Sequence, residues 1–103
     1  MMMTIPDPLP ADALTDALAA LEGWTVEDGK LHKEYVFRDF VEAFGFMASA
    51  ALCAERANHH PEWFNVYKTV RVDLMTHEAG GITRFDIELA GQFDRAAARA
   101  DTP

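Results

Sequence analysis

Histidine carries the chemistry that this sequence offers. The chain holds four histidines in 103 residues. His59 and His60 are adjacent, inside the segment Ala57-Asn58-His59-His60-Pro61-Glu62-Trp63-Phe64-Asn65-Val66-Tyr67, and His77 follows soon after. Imidazole has an ordinary pKa of about 6.5, so it gives and takes protons near neutrality. Two imidazoles across one substrate can serve as general acid and general base. Pro61 biases His60 toward extended backbone and so sets the direction in which the imidazoles are aimed. Neighbours in an extended segment point to opposite faces. No His-Glu-x-x-His run and no Cys/His cluster accompanies them, so acid–base work is favoured over metal ligation. The nearest acids are Asp86 and Glu55. Asp86 is already accounted for by helix capping, and in a site it would orient or charge-stabilise an imidazole. Glu55 stands one turn before His59 on the same helical face, where it is either a supporting carboxylate or a solvated one. Trp63 and Phe64 can be core, oligomer contact or a flat wall for an aromatic ligand, and strand alternation sends them to opposite sides.

The elements that must position these groups follow from periodicity. Residues 10–22 predict a helix, with Leu14, Ala17, Leu18 and Leu21 on one face and Gly23 as its stop. Asp28-Gly29 predicts a tight hairpin turn. After it Leu31, Tyr35 and Phe37 alternate with His32 and Glu34, while Lys33 interrupts the apolar face with a stem that can lie along it. Asp39 and Glu42 form a capping-box-like pair at the start of a second helix. That helix carries Phe40, Ala43, Phe44, Met47, Ala51 and Ala54, and should end near Asn58 because of Pro61. Residues 62–67 and 69–76 predict two more strands, with Val70, Val72 and Leu74 alternating with Arg71 and Asp73. Thr83 caps a last helix, with Asp86 at its third position and Ile82 and Ile87 as a hydrophobic staple. The order α-β-β-α-β-β-α predicts an α+β two-layer sandwich, a four-stranded antiparallel sheet with three helices on one face. Its short strands are expected to bring Trp, Phe, Tyr and Val to the outer face, and its two edges favour a homo-oligomer. If residues 62–76 form a hairpin, its open end gathers His59, His60 and His77 at one mouth.

Totals narrow the class. The chain suits one domain, read as 9–97, between a flexible N-terminal arm of 1–8 and a frayed tail of 98–103. The net charge is −8 and the pI about 4.7, with the nine basic residues scattered and in no run. Such a chain is a poor binder of nucleic acid or of anionic membranes, since neutralising phosphates needs clustered Lys and Arg. Cys53 is the single cysteine, so no internal disulfide and no CxxC zinc motif exists. Cys53 is read as a small apolar core residue. The opening residues lack a basic n-region and a long apolar run, and no stretch has the ~18 apolar residues of a membrane span, so the cytoplasm is the expected location.

Three segments together resemble the pterin-4a-carbinolamine dehydratase family: Phe37 to Met47 (FRDFVEAFGFM), Ala54 to Tyr67 (AERANHHPEWFNVY) and Thr76 to Ala90 (THEAGGITRFDIELA). The second matches the family's E-x-x-x-H-H-P-x-W pattern through Glu55, His59, His60, Pro61 and Trp63. The third matches T-H-x-x-x-G-[LI]-[ST]-x-x-D through Thr76, His77, Gly81, Ile82, Thr83 and Asp86. The resemblance runs from about Leu9 to Phe93. It implies the same fold order, dimers made by joining sheets, and often tetramers. It implies dehydration of 4a-hydroxytetrahydropterin to quinonoid dihydropterin, with a functional link to aromatic amino acid hydroxylases, chiefly phenylalanine hydroxylase, and no metal or organic cofactor. By resemblance His59 and His77 are the acid and base, His60 shares the catalytic site and mainly positions the pterin, and Asp86 supports them. Glu55, Pro61, Trp63, Thr76 and Glu78 are implied around the substrate, and backbone groups of 78–81 are placed to pair with its amide edge. The alternative on the same fold is a noncatalytic assembly or coactivator protein, whose function would lie on the helical or sheet surface.

Overall fold

Each turn that the sequence marks is closed by backbone that only certain residues adopt readily. The computed structural model describes residues 4–100; residues 1–3 of the expected arm and 101–103 of the expected tail lie outside the described residues. The elements are α1 (Ala11–Ala20), β1 (Thr25–Glu27), β2 (Lys30–Val36), α2 (Phe40–Ala57), β3 (Glu62–Val66), β4 (Thr69–Leu74) and α3 (Arg84–Ala100), with a short 3-10 turn at His77–Ala79. Asp28 and Gly29 both have positive φ, 53° and 74°, as the predicted hairpin requires. The β3–β4 turn at Tyr67-Lys68 is held by the Asn65 side-chain amide, which donates to the carbonyls of Tyr67 and Thr69 at 3.2 and 2.9 Å.

The sheet order is β1-β2-β4-β3, antiparallel throughout. The two hairpins therefore join through their second strands, with Leu31 opposite Leu74 and Tyr35 opposite Val70. The helix-facing side of the sheet carries Leu31, Tyr35, Val70, Val72 and Leu74, all buried. Against it pack Ala43, Phe46, Ala50 and Ala54 of α2, and Leu89, Ala90, Phe93 and Ala96 of α3. Alanines at these positions let α2 approach closely, while Phe46 and Phe93 meet edge to face at 6.1 Å and fill the centre. Leu14, Leu18 and Leu21 add the partly buried face of α1. The predicted α+β layering and element order stand.

Three details differ from the sequence reading. Tyr35 and Trp63 face the helices, so the outer face carries Val36, Phe64 and Val66 among charged residues instead of the full aromatic set. The reason is register: Trp63 lies opposite buried Val72, which leaves Phe64 outside beside Arg71, whose guanidinium covers its ring at 4.5 Å. Lys33 does more than lie along the apolar face. Its ammonium reaches Asp94 at 2.9 Å and the Glu22 carbonyl at 3.0 Å. Asp94 also accepts from Trp24 Nε1 at 3.1 Å and from the Tyr35 hydroxyl at 2.5 Å, tying α3 to the first hairpin. Finally, α3 continues past residue 97 to Ala100.

Candidate active site

The site begins where α2 stops. Asn58 takes left-handed backbone, φ 51° and ψ 42°. Its N–H bonds the Glu55 carbonyl at 3.1 Å, and the His59 N–H bonds the Ala54 carbonyl at 3.0 Å. This pair of bonds closes the last turn as a Schellman motif. The stop assigned to Pro61 is thus made three residues earlier by Asn58, a residue type that tolerates this conformation better than most. Pro61 then leads the chain into β3. His59, the last residue of the motif, swings over the start of α3.

There His59 Nε2 meets Asp86 Oδ1 at 2.5 Å. The histidine side chain is 11% exposed and Asp86 is fully buried. Asp86 Oδ2 accepts from the Thr83 N–H at 2.8 Å, which is the predicted cap, and from the Thr76 hydroxyl at 2.9 Å. Thr76 and Thr83 hydroxyls lie 2.7 Å apart. Because the Thr76 proton goes to Asp86, Thr83 supplies the proton of that bond, and its own oxygen accepts from the Phe85 N–H at 3.2 Å. Every donor in the chain has a direction, and it ends on a carboxylate in the first turn of α3, where the helix dipole favours negative charge. Neutral His59 must then carry its proton on Nε2, donating to Asp86, which leaves Nδ1 as the nitrogen with a lone pair.

Thr76 is itself fixed by a short bridge to Gly81, N–H to carbonyl 2.9 Å, around the 3-10 turn that presents His77 and Glu78. The N–H groups of Ala79 and Gly80 are spent on the Thr76 carbonyl at 3.1 and 3.0 Å. His59, Thr76, Glu78, Asn58, Phe85 and Ile5 line a cavity of about 320 Å³. A second hollow of about 180 Å³, on which His59 and Phe85 also border, runs along α2 and α3 past Arg56, Glu88 and Gln92.

The hairpin mouth forms as expected, since Glu62 pairs with Asp73 and the chain on either side holds the histidines. Their side chains take separate partners. His60 Nε2 lies 2.9 Å from Glu55 Oε1, both exposed. His77 Nε2 lies 3.3 Å from Glu62 Oε2, and Glu62 Oε1 accepts from Lys30 Nζ at 2.6 Å. That hydrogen bond with Lys30 holds the Glu62 carboxyl below the usual range and raises the Lys30 ammonium, so Glu62 presents a firm negative charge to His77. Trp63 stacks on Phe93, ring centroids 6.3 Å apart, on the packed side of the sheet. Sequence reasoning passed over Glu62 and Phe85, and read Asn58 only as the place where the helix ends. The signal for Glu62 was its place two residues after His60 at the start of a strand; Phe85 had none beyond adjacency to Asp86.

The site is thus a buried carboxylate–histidine pair at the open end of the second hairpin of an antiparallel α+β layer. The chain belongs to the family described as pterin 4 alpha carbinolamine dehydratase, which it matches over residues 7–96. A protein of Solibacter usitatus, provisionally named pterin-4-alpha-carbinolamine dehydratase, is 58% identical over 85 residues, covering 82% of this chain and 90% of the relative. A Bradyrhizobium protein with the same provisional name is 55% identical over 92 residues, covering 87% and 93%. The crystal structure of a transcriptional coactivator/pterin dehydratase from Brucella melitensis superposes with a TM-score of 0.85 at 45% identity, over 88% of this chain and 99% of that one.

Proposed function

We propose that this chain dehydrates 4a-hydroxytetrahydropterin to quinonoid dihydropterin by histidine acid–base catalysis. The observation that carries the reading is the directed network Thr83–Thr76–Asp86–His59 at the wall of the cavity. In the reaction the C4a–O bond breaks, the N5 proton leaves, and a C4a=N5 double bond forms. His59, with Nε2–H held by Asp86, takes the N5 proton on Nδ1, and the imidazolium so formed faces a buried carboxylate. His77, beside the charge of Glu62, is the acid that protonates the departing hydroxyl, and the product is water. His60, held by Glu55, positions the ring, with Thr76, Glu78 and Pro61 around it. Beyond the C4a–O cleavage the step needs only proton transfers, with no change of net oxidation state, and uses no metal or organic cofactor. Well-placed acids and bases each contribute roughly 10²–10⁴-fold. The reaction would regenerate the pterin cofactor of an aromatic amino acid hydroxylase such as phenylalanine hydroxylase, in the cytoplasm, with the chain as a homodimer or homotetramer. No helix among the described residues is long and apolar enough to cross a membrane.

The test is dehydration of freshly generated 4a-hydroxytetrahydropterin by wild type, His59→Ala and His77→Ala, against the spontaneous rate in buffer. Acceleration that drops in both variants is expected. A folded wild type no faster than buffer would end the catalytic reading and favour the second one, a partner-binding role. That role has its own support in the exposed apolar face of α2, where Val41, Phe44 and Leu52 are 78%, 57% and 67% exposed, and in the coactivator description of the Brucella melitensis neighbour.

A further inference from the structure

Arginines scattered along the sequence converge in space. Arg56 of α2 and Arg95 and Arg99 of α3 line one polar cavity of about 300 Å³, together with Gln92 and Cys53. The chain carries 17 acidic residues against nine basic ones. Lys30, Lys33, Arg38 and Arg84 each pair with a carboxylate. Among the described residues, none of the three cavity arginines has a carboxylate within ion-pair distance. The helix dipole accounts for Arg56 and Arg99 singly, since each stands in the last turn of its own helix. It does not account for their meeting or for Arg95, which stands one turn from Arg99 and repels it. Three guanidinium groups with an amide beside them form a set of donors suited to phosphate or carboxylate oxygens.

The cavity also shares two lining residues, Arg56 and Gln92, with the hollow beside the candidate active site. Arg56 and Gln92 line the 180 Å³ hollow whose other wall is His59 and Phe85. The one carboxylate along that hollow, Glu88, is 3.8 Å from Arg84. Along α3, at 1.5 Å per residue, Phe85 lies about 10 Å from Gln92 and about 15 Å from Arg95. We propose that the arginine cavity is an anion subsite that takes a phosphate or carboxylate at the end of the pterin's C6 side chain, about 10–15 Å from the ring. This rests on the pterin reading above and adds to it the class of substrate. A free phosphate would satisfy the charge but leave the connecting hollow without a purpose.

Binding of unreactive 7,8-dihydropterins, measured by titration calorimetry at low and high salt, tests this. One probe has a short neutral C6 side chain, one a side chain of matching length ending in a carboxylate or phosphate, and the third is inorganic phosphate alone. Wild type should prefer the anionic pterin by roughly 10–100-fold, the scale of one or two charge-assisted hydrogen bonds, and the preference should shrink with salt. In Arg95→Gln/Arg99→Gln, and separately in Arg56→Gln, the ratio of the two affinities should fall toward one, with thermal melts as the control for folding. Equal affinity of wild type for both pterins overturns the subsite while leaving the dehydratase reading in place. So does a preference that survives both variants, or phosphate alone binding as tightly as the anionic pterin. Failure of both pterins to bind removes the dehydratase reading, and the subsite with it.

Discussion

His59 has two ring nitrogens, and Asp86 gives them different work. With the Thr76 hydroxyl proton on Asp86 Oδ2 and the Thr83 proton on the Thr76 oxygen, Asp86 is acceptor only, and only a donor nitrogen fits opposite Oδ1. Asp86→Asn should invert this. Its amide oxygen would be kept by the Thr83 N–H and the Thr76 hydroxyl, turning the NH₂ toward His59 and forcing the proton to Nδ1. Dehydration should fall by roughly 10²–10⁴-fold, with the tautomer change visible in the ¹⁵N shifts of the ring. An unaltered rate would take His59 out of the proton transfer. Asp86 was legible as a cap because Thr83 and Asp86 have capping-box spacing. Its second duty, to orient or charge-stabilise an imidazole, was read without fixing which imidazole, because His59 arrives from another element whose end point Asn58 decides.

A second prediction at this scale concerns Tyr35. Burial, then the hydrogen bond to Asp94, pushes its phenol far above the usual tyrosine range. The native state therefore keeps a proton that the unfolded chain loses above about pH 10. Stability from this group is whole below that pH and declines as pH rises beyond it. Denaturant midpoints should drop between pH 10 and 11, and less steeply in Tyr35→Phe. Equal slopes would mean that another group sets the alkaline limit.

At the scale of elements, turns and caps were legible and the packing between helices was not. Asp28-Gly29, Asp39 with Glu42, and Thr83 with Asp86 are local devices whose residues lie within four positions of each other, so sequence displays them. The arginine cavity needs α2 and α3 to lie antiparallel with Arg56 beside Gln92, and the apolar periods of two helices do not specify that registration. The end of α2 is where an element governs chemistry most directly. Asn58→Gly should leave the melting temperature nearly unchanged, since glycine adopts positive φ freely. Asn58→Val should cost about 1–2 kcal/mol and slow dehydration beyond what the loss of stability explains, because His59 is the next residue. A valine variant with full stability and full rate would show that the left-handed turn does not position the imidazole.

For the molecule as a whole, the sheet has two edges, β1 and β3. On β3 Phe64 and Val66 are 52% and 57% exposed. An edge of this kind invites a second chain. Sedimentation of the wild type should report a dimer or larger, and Val66→Lys should shift it toward monomer. A wild type that remains monomeric at tens of micromolar would set the edge-pairing expectation aside.

The order β1-β2-β4-β3 also sets a timetable. Each hairpin closes over two residues and can form within microseconds. The central seam cannot, because Val36 must find Thr69 across the whole of α2 and β3, and the entropy of closing that long loop is lost before the core contacts return it. Folding should therefore be limited by the docking of two preformed ribbons. Mutations along the seam, such as Val70→Ala, should slow folding, while changes on outlying β1, such as Val26→Ala, should mainly hasten unfolding.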